Sequence, residues 1–232
     1  MNAAITSVSS PVSTPLPVVV IGGGPAGLMA AQVISDAGLS VHLYDAMPSI
    51  GRKFLLAGKG GLNLTHSEGA DAFAGRYGAR RKAIEALLQG MDATAVRDWA
   101  AGLGVDTFVG SSGRVFPKDM KAAPLLRAWL QRLRNPVSGV GVQFHMRHRW
   151  TGWTEDAALA FDTPQGPVQV RASAVVMALG GGSWARLGSN GAWVPLLAAR
   201  GVAVAPLLPA HCGFDVQGGW SEHFSSRYAG HA

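Results

Sequence analysis

The sequence predicts an α/β fold built on a parallel sheet, and three observations near its start support that prediction. A run of β-branched residues, 18–21, is typical of a strand that is buried on both faces. Three glycines at GxGxxG spacing come directly after it: Gly22, Gly24 and Gly27. A helical pattern follows and ends at Gly38, and residues 41–45 have the composition of a second strand. Strand, glycine turn, helix and strand in this order predict a Rossmann-like domain.

Each glycine of the turn has its own steric role in this prediction. Gly22 allows the tight turn, Gly24 leaves room for a diphosphate to approach the main chain, and Gly27 lets the helix lie close to the strand. The helix N-terminus offers unpaired N–H groups and the positive end of the helix dipole, and both favour an anion. We therefore expect the diphosphate of a dinucleotide at this turn.

Asp45 is the next candidate ligand group of this unit. It comes 18 residues after Gly27, at the end of the second strand, where a carboxylate can accept hydrogen bonds from ribose hydroxyls. The alternative is a generic strand, turn and helix that carries an exposed aspartate. Because all the required elements are present in the required order, the pattern favours the dinucleotide site.

The later sequence adds helices and an antiparallel meander to this parallel start. Helical spacing of apolar residues predicts three helices, at residues 81–91, 93–103 and 124–133. Three β-prone segments then predict a meander, at residues 140–150, 158–163 and 167–172. An apolar strand, 174–179, runs into Gly180 and Gly181, where main chain can approach a ligand closely.

This order of elements distinguishes between two dinucleotides. Nicotinamide dehydrogenases usually continue with βαβ units after the second strand, whereas here inserted helices and a meander lead back to a strand that ends in glycines. The tightly bound cofactor is therefore predicted to be FAD. We expect a disordered leader at residues 1–16, an FAD-binding domain at 17–205, and the beginning of an incomplete middle domain, which would bear the substrate, at 206–232.

Composition narrows the class of protein further. With 232 residues, 48% of them hydrophobic and 15% charged, the chain can bury one good core. It contains no apolar run of the roughly 18 residues that a membrane helix needs, and its N-terminal residues lack the features of a secretory signal. We therefore expect a cytoplasmic protein without a membrane partner. Cys212 is the only cysteine, which excludes an internal disulfide, and no histidine spacing suits a metal motif.

The net charge of +6 raises the question of nucleic acid binding. Basic clusters occur at residues 76–82, 127–134 and 145–149, but none carries a recognisable nucleic-acid motif or an interleaved pattern of stacking aromatics. Solvated helix faces or phosphate contacts explain these clusters more simply. We expect no nucleic-acid partner.

A second glycine-rich motif follows Asp45. Arg52 and Lys53 form a basic pair that can neutralise phosphate, Gly60 and Gly61 let the main chain pass close to a ligand, and Asn63 can both donate and accept hydrogen bonds. The alternative is a mobile surface loop, and composition alone leaves the two interpretations even.

The residues GRKFLLAGKGGLNLT, placed after the GxGxxG unit, resemble the BaiN/RdsA family of bacterial NAD(P)/FAD-dependent flavoproteins. The segments VVMALGGGSWARLGSNGAW and VAVAPLLPAHCGFDV extend the resemblance over nearly the whole chain after residue 17. The resemblance implies that several residues line FAD: Ala26, Asp45, Arg52, Lys53, Gly61 and Asn63. It also implies that main chain near Trp150 touches the adenine and that Gly180 and Gly181 border the cofactor.

The chain departs from the family pattern in two ways. Ala57 and Leu62 stand where many members have Ser and Cys, so thiol chemistry at that position is absent. Family members also continue past the middle domain and return to the FAD domain on the flavin side. The sequence is therefore expected to be a fragment or a truncated product.

The predicted function is that of a flavoprotein oxidoreductase, in which hydride passes between NAD(P)H, flavin and an unidentified organic acceptor. Its small-molecule substrate is expected between the two domains. The cofactor supplies such chemistry, so no catalytic residue is assigned and the oligomeric state is left open. Three alternatives remain: a truncated noncatalytic FAD-binding protein, a nicotinamide-only dehydrogenase, and an RNA-binding protein that uses the basic patches.

Overall fold

The computed structural model describes residues 15–57, 60–208 and 216–228. The first half of the chain contains β1 (Val18–Ile21), α1 (Pro25–Asp36), β2 (Val41–Asp45), α2 (Arg52–Ala57), β3 (Thr65–His66), α3 (Ala70–Gly75), α4 (Arg81–Leu88), α5 (Ala93–Gly102), β4 (Thr107–Val109) and β5 (Arg114–Pro117). The second half contains α6 (Ala122–Arg134), β6 (Gln143–Met146), β7 (Arg149–Trp153), β8 (Leu159–Thr163), β9 (Gly166–Val170), β10 (Ala174–Met177), α7 (Trp193–Ala198) and α8 (Glu222–Tyr228). Short 3₁₀ helices occur at Gly78–Arg80 and Ala185–Leu187.

A parallel four-stranded sheet in the order β10-β1-β2-β6 forms the centre of the fold. Its two faces are covered by different layers, because side chains alternate along a strand. Val20 and Leu43 face a core made with α1 and α6. Val19, Ile21 and Tyr44 face a second core made with the antiparallel sheet β7-β8-β9. The predicted α/β Rossmann-like fold, with its parallel sheet and antiparallel strands, is confirmed.

The helix that begins at the glycine turn is anchored by a polar contact in the helical layer. The side-chain oxygen of Gln32 on α1 accepts from the indole N–H groups of Trp99 and Trp129, at 3.2 and 2.8 Å. These two rings lie edge to face, 4.7 Å apart. This contact joins α1 to α5 and α6, and both tryptophans act as packing residues.

The predicted first strand of the meander, residues 140–150, is wrong in one respect. The structure divides it into β6, which joins the parallel sheet beside β2, and β7, which begins the antiparallel meander. Arg147 separates the two strands with a φ of 60°, a left-handed conformation that interrupts an extended run. The β-prone composition of this segment correctly predicts strands, but tertiary contacts determine which strands they pair with.

A small third sheet, in the order β3-β5-β4, is formed by strands that lie between α2 and α6 in the sequence. The hairpin β4-β5 comes from the segment around residues 107–117, and its Val115 is fully buried. Most of the predicted leader at 1–16 and part of 206–232 lie outside the described residues, so the domain division stays a prediction. Within the described part of the chain, no helix is both long and apolar enough to cross a bilayer.

Candidate cofactor site

A cavity of about 280 Å³ opens at the carboxyl ends of β1, β2 and β10. Open α/β sheets bind their ligands at this edge, outside the carboxyl ends of parallel strands. Residues from distant parts of the chain form its walls, mainly 21–26, 44–47, 51–53, 148–150, 178–180 and 187–190. The site is therefore assembled by the sheet topology.

Two glycines of the turn are required by close approach of main chain. Gly22 has a φ of 112°, and a β-carbon there would lie 2.2 Å from the carbonyl oxygen of Ala178, the residue that follows β10. A β-carbon at Gly27 would lie 1.8 Å from the carbonyl oxygen of Gly22. The first contact holds the turn against the end of β10, and the second holds the start of α1 against the end of β1.

Gly24 differs from both of these glycines because its surroundings are open. A β-carbon there would meet no atom within 4 Å, although Gly24 lines the cavity. Gly24 is also the N-cap of α1, and no side chain caps the helix. The first-turn N–H groups of an α-helix have no acceptor within the helix, so this end offers donors and a positive dipole to the cavity.

Asp45 ties the glycine turn to the end of β2. One carboxylate oxygen accepts from the main-chain N–H of Gly23 at 2.6 Å, and the other accepts from Met47 at 2.7 Å. A carboxylate has about four acceptor positions, so each oxygen keeps one for a ribose hydroxyl. Asp45 therefore has a positioning role that the sequence pattern did not indicate.

Positive charge predominates in the walls. Arg52, Lys53 and Arg149 contribute three cations, whereas Asp45 is the one carboxylate among the described residues that line the cavity. Lys53 Nζ donates to Ser183 Oγ at 2.7 Å, a contact between residues 130 positions apart. Such walls are suited to a diphosphate.

Unpaired polar atoms in the cavity wall fit an anionic dinucleotide. Arg52 Nε is buried and has no hydrogen-bond partner in the described part of the chain, although Arg52 lines the cavity. The indole nitrogens of Trp150 and Trp193, two further wall residues, share this property. Buried polar groups are normally paired, so an unpaired guanidinium N–H beside an uncapped helix indicates a site built for an acceptor.

The structure brings most of the sequence-predicted residues together. Eight of them line the cavity: Gly22, Gly24, Ala26, Asp45, Arg52, Lys53, Trp150 and Gly180. Gly27 lies behind the turn as a packing residue. Gly181 does not line the cavity, but its carbonyl accepts from the hydroxyl of Ser189, which does.

The second glycine-rich motif lies apart from the cavity walls. Gly60, Gly61 and Asn63 are not among the lining residues. Gly61 has a φ of 116° and packs against Met120, and the N–H of Leu62 donates to the Met120 carbonyl at 2.9 Å. This main chain continues into the sheet β3-β5-β4, so contact of these three residues with a cofactor stays a prediction.

Sequence reasoning missed several wall residues. Tyr44, His148, Ser189 and Trp193 line the cavity but were not singled out. Ser189 and Trp193 belong to the segment after the glycines at 180–182, where a polar turn of the type Gly-Ser-Asn was the available signal. His148 follows β6, and its link to the site comes only from the pairing of β6 with β2.

Tyr44 is the centre of an aromatic stack behind the wall. Its ring lies between those of His145 and Phe161, with centroid distances of 4.3 and 4.6 Å. His145 also stacks on His42, and His145 Nε2 lies 3.2 Å from His42 Nδ1. Burial raises the pKa of Tyr44 and lowers the pKa of His42. Burial also lowers the pKa of His145, and charge repulsion from His42 and His148 lowers it further.

The lowered histidine pKa values predict that acid destabilises the fold. In the unfolded chain these histidines have the ordinary pKa of about 6.5, whereas His42 and His145 in the folded protein have a lower pKa. The unfolded state therefore binds more protons, and the stability of the fold decreases as the pH drops through about 6.5. We expect His145→Phe, which keeps a ring against Tyr44, to weaken this dependence. The measurement is the thermal midpoint at about pH 7.5 and about pH 5.5 for both proteins. Equal losses of midpoint on acidification would contradict the assignment.

Comparisons with known proteins agree with this geometry. Residues 16–224 match the family model described as "HI0933-like protein Rossmann domain". A search of curated protein sequences gives no match. The family match spans the glycine turn, the inserted helices, the meander and the strand β10, and so includes the residues that line the cavity.

Solved structures with similar folds include two redox enzymes. The open conformation of a flavocytochrome c3 fumarate reductase is 19% identical with a TM-score of 0.53, over 73% of this chain and 34% of that one. The 3-ketosteroid-delta4-(5alpha)-dehydrogenase from Rhodococcus jostii RHA1 is 16% identical with a TM-score of 0.51, over 74% of this chain and 47% of that one. This chain thus spans under half the length of either structure, and the likeness concerns the fold. By its family match, the chain belongs to the HI0933-like Rossmann domain family.

Proposed function

We propose that this chain binds FAD and forms the FAD-binding part of an oxidoreductase of the BaiN/RdsA type. The observation that carries the proposal is the N-terminus of α1, which lies at the cavity without a side-chain cap and with open space beside the main chain of Gly24. Family membership supports it, because the matched model describes a Rossmann domain.

Residues of this chain would hold the cofactor through its ADP half. The first turn of α1 and the unpaired Nε of Arg52 would bind the diphosphate. Asp45 would accept from the ribose, and Lys53 would exchange its contact with Ser183 for a phosphate oxygen. Leu187 and Trp193, both wall residues, would shield the ligand from water. When bound, FAD supplies hydride-transfer chemistry that the side chains themselves lack.

The donor, acceptor and location belong to this proposal. The resemblance to BaiN/RdsA proteins supports NAD(P)H as the transient electron donor and a small organic molecule as the acceptor. Under the proposal the protein works in the cytoplasm, without a nucleic-acid or membrane partner. A noncatalytic FAD-binding protein is the second candidate, because the wall residues described above account for binding of the cofactor alone.

The visible spectrum of the purified protein tests the proposal. We expect flavin absorbance that survives gel filtration and that NADH or NADPH bleaches under anaerobic conditions. Flavin that neither nicotinamide reduces would favour the noncatalytic candidate. A colourless protein that binds NAD and rejects added FAD would overturn the FAD assignment in favour of a nicotinamide-only dehydrogenase.

A further inference from the structure

The cavity continues beyond Asp45 toward the loop that joins β6 to β7. With the diphosphate at α1 and the ribose at Asp45, the base of a dinucleotide lies farther along the same edge. The wall there includes Met47, His148, Arg149 and Trp150. The main-chain N–H of His148 donates to the carbonyl oxygen of Asp45 at 2.9 Å, which fixes His148 next to the ribose position.

The ring of His148 is held in one orientation by its neighbours. It lies edge-on to Tyr44, at 5.5 Å and 64°, and edge-on to Phe161, at 6.3 Å and 67°. Its Nδ1 lies 2.8 Å from the carbonyl oxygen of Met146. Because a carbonyl oxygen only accepts, Nδ1 must carry the proton of this hydrogen bond. In the neutral ring, Nε2 is then a hydrogen-bond acceptor.

Nε2 of His148 has no hydrogen-bond partner among the described residues. His148 lines the cavity, and its Nε2 is not one of the fully buried unpaired polar atoms in that part of the chain, so Nε2 is at least partly exposed. An accessible acceptor on this wall matches a donor group on the base.

Adenine presents such a donor, because its exocyclic amino group carries two N–H bonds. Hypoxanthine and guanine present a carbonyl oxygen at the same ring position, which would face the Nε2 lone pair and repel it. We propose that His148 selects adenine by accepting a hydrogen bond from its exocyclic amino group at Nε2. The inference rests on the proposed function, because only a bound dinucleotide brings a base to this wall.

Calorimetric titration of the full chain with ADP and with IDP, whose base is hypoxanthine, tests the inference. We expect the wild type to bind ADP about tenfold more tightly than IDP, which corresponds to one hydrogen bond. His148→Phe keeps a ring beside Tyr44 and Phe161 but removes both nitrogens, so the ratio should fall to about one. His148→Gln offers both an acceptor and a donor near the position of Nε2, so it should also lose most of the preference.

His145→Phe is the matched control. It is the same substitution in the same aromatic cluster, but His145 does not line the cavity, so the ADP to IDP ratio should keep its wild-type value. Equal binding of ADP and IDP by the wild type, or an unchanged ratio in His148→Phe, overturns the inference and leaves the proposed function standing. Failure of the wild type to bind either nucleotide or FAD overturns both.

Discussion

Gly27→Ala is expected to lower the thermal midpoint by about 4–8 °C, which corresponds to about 2 kcal/mol in a chain of this size. The new β-carbon would lie 1.8 Å from the carbonyl oxygen of Gly22 and 3.3 Å from the β-carbon of Ala178. Both neighbours are fixed, since one is main chain in the turn and the other follows β10. To relieve the overlap, α1 must move off the sheet. Thermal unfolding followed by circular dichroism measures the effect.

Gly102→Ala provides the control for helix propensity. Gly102 is the last residue of α5, and a β-carbon there would come no closer than 3.6 Å to the flexible end of Arg132. Alanine is the better helix former, so this variant should be neutral or slightly more stable than the wild type. A Gly27→Ala midpoint as high as that of Gly102→Ala would show that the close packing of α1 on β1 is wrong.

Gly24→Val is expected to abolish retention of FAD while leaving the fold intact. Gly24 has φ and ψ of −80° and −179°, an extended conformation that valine adopts readily. No protein atom lies within 4 Å of its β-carbon position, so the side chain would enter only the space that the diphosphate needs. The measurement is the flavin absorbance per protein chain after gel filtration, together with the thermal midpoint of the apoprotein.

Gly69→Val is the control that separates ligand exclusion from loss of a cap. Gly69 is the N-cap of α3, with φ and ψ of −62° and 152° and open space around its β-carbon position. It does not line the cavity, so this variant should retain flavin. Loss of flavin in both variants would indicate a general effect of valine at a helix N-cap.

The opening βαβ unit could be predicted from the sequence because its signals are local. One short stretch of chain contains the strand Val18–Ile21, the spaced glycines and Asp45, and only short turns separate its elements. Steric rules for glycine then assign separate roles to Gly22 and Gly24 before any tertiary contact is known. The confirmed fold extends this local prediction through the return strand β10.

Other features depended on contacts between distant segments and could not be predicted. The segment at 140–150 is β-prone throughout, and only pairing with β2 shows that its first part belongs to the parallel sheet. The contact of Lys53 with Ser183 joins residues 130 positions apart. His148 reaches the cavity because β6 lies beside β2, and a basic cluster at 145–149 was the only sequence signal there.

The role of Asp45 shows a further limit of motif reading. The spacing after Gly27 indicated a ribose ligand, but it contained no sign that the carboxylate also binds the N–H groups of Gly23 and Met47. Such contacts depend on the curvature of the turn and on the end of β2, which three-dimensional packing sets. The motif thus predicts a ribose ligand at Asp45, and the structure adds that this carboxylate supports the turn.

Calorimetric titration of the wild type, Gly24→Val and Gly69→Val with ADP is the sharpest test of the diphosphate site, because ADP contains only the half of FAD that the turn should hold. We expect the wild type and Gly69→Val each to bind one ADP per chain with similar affinity, and Gly24→Val to bind none. Equal binding of ADP by all three proteins would contradict the claim that a diphosphate rests on the main chain at Gly24.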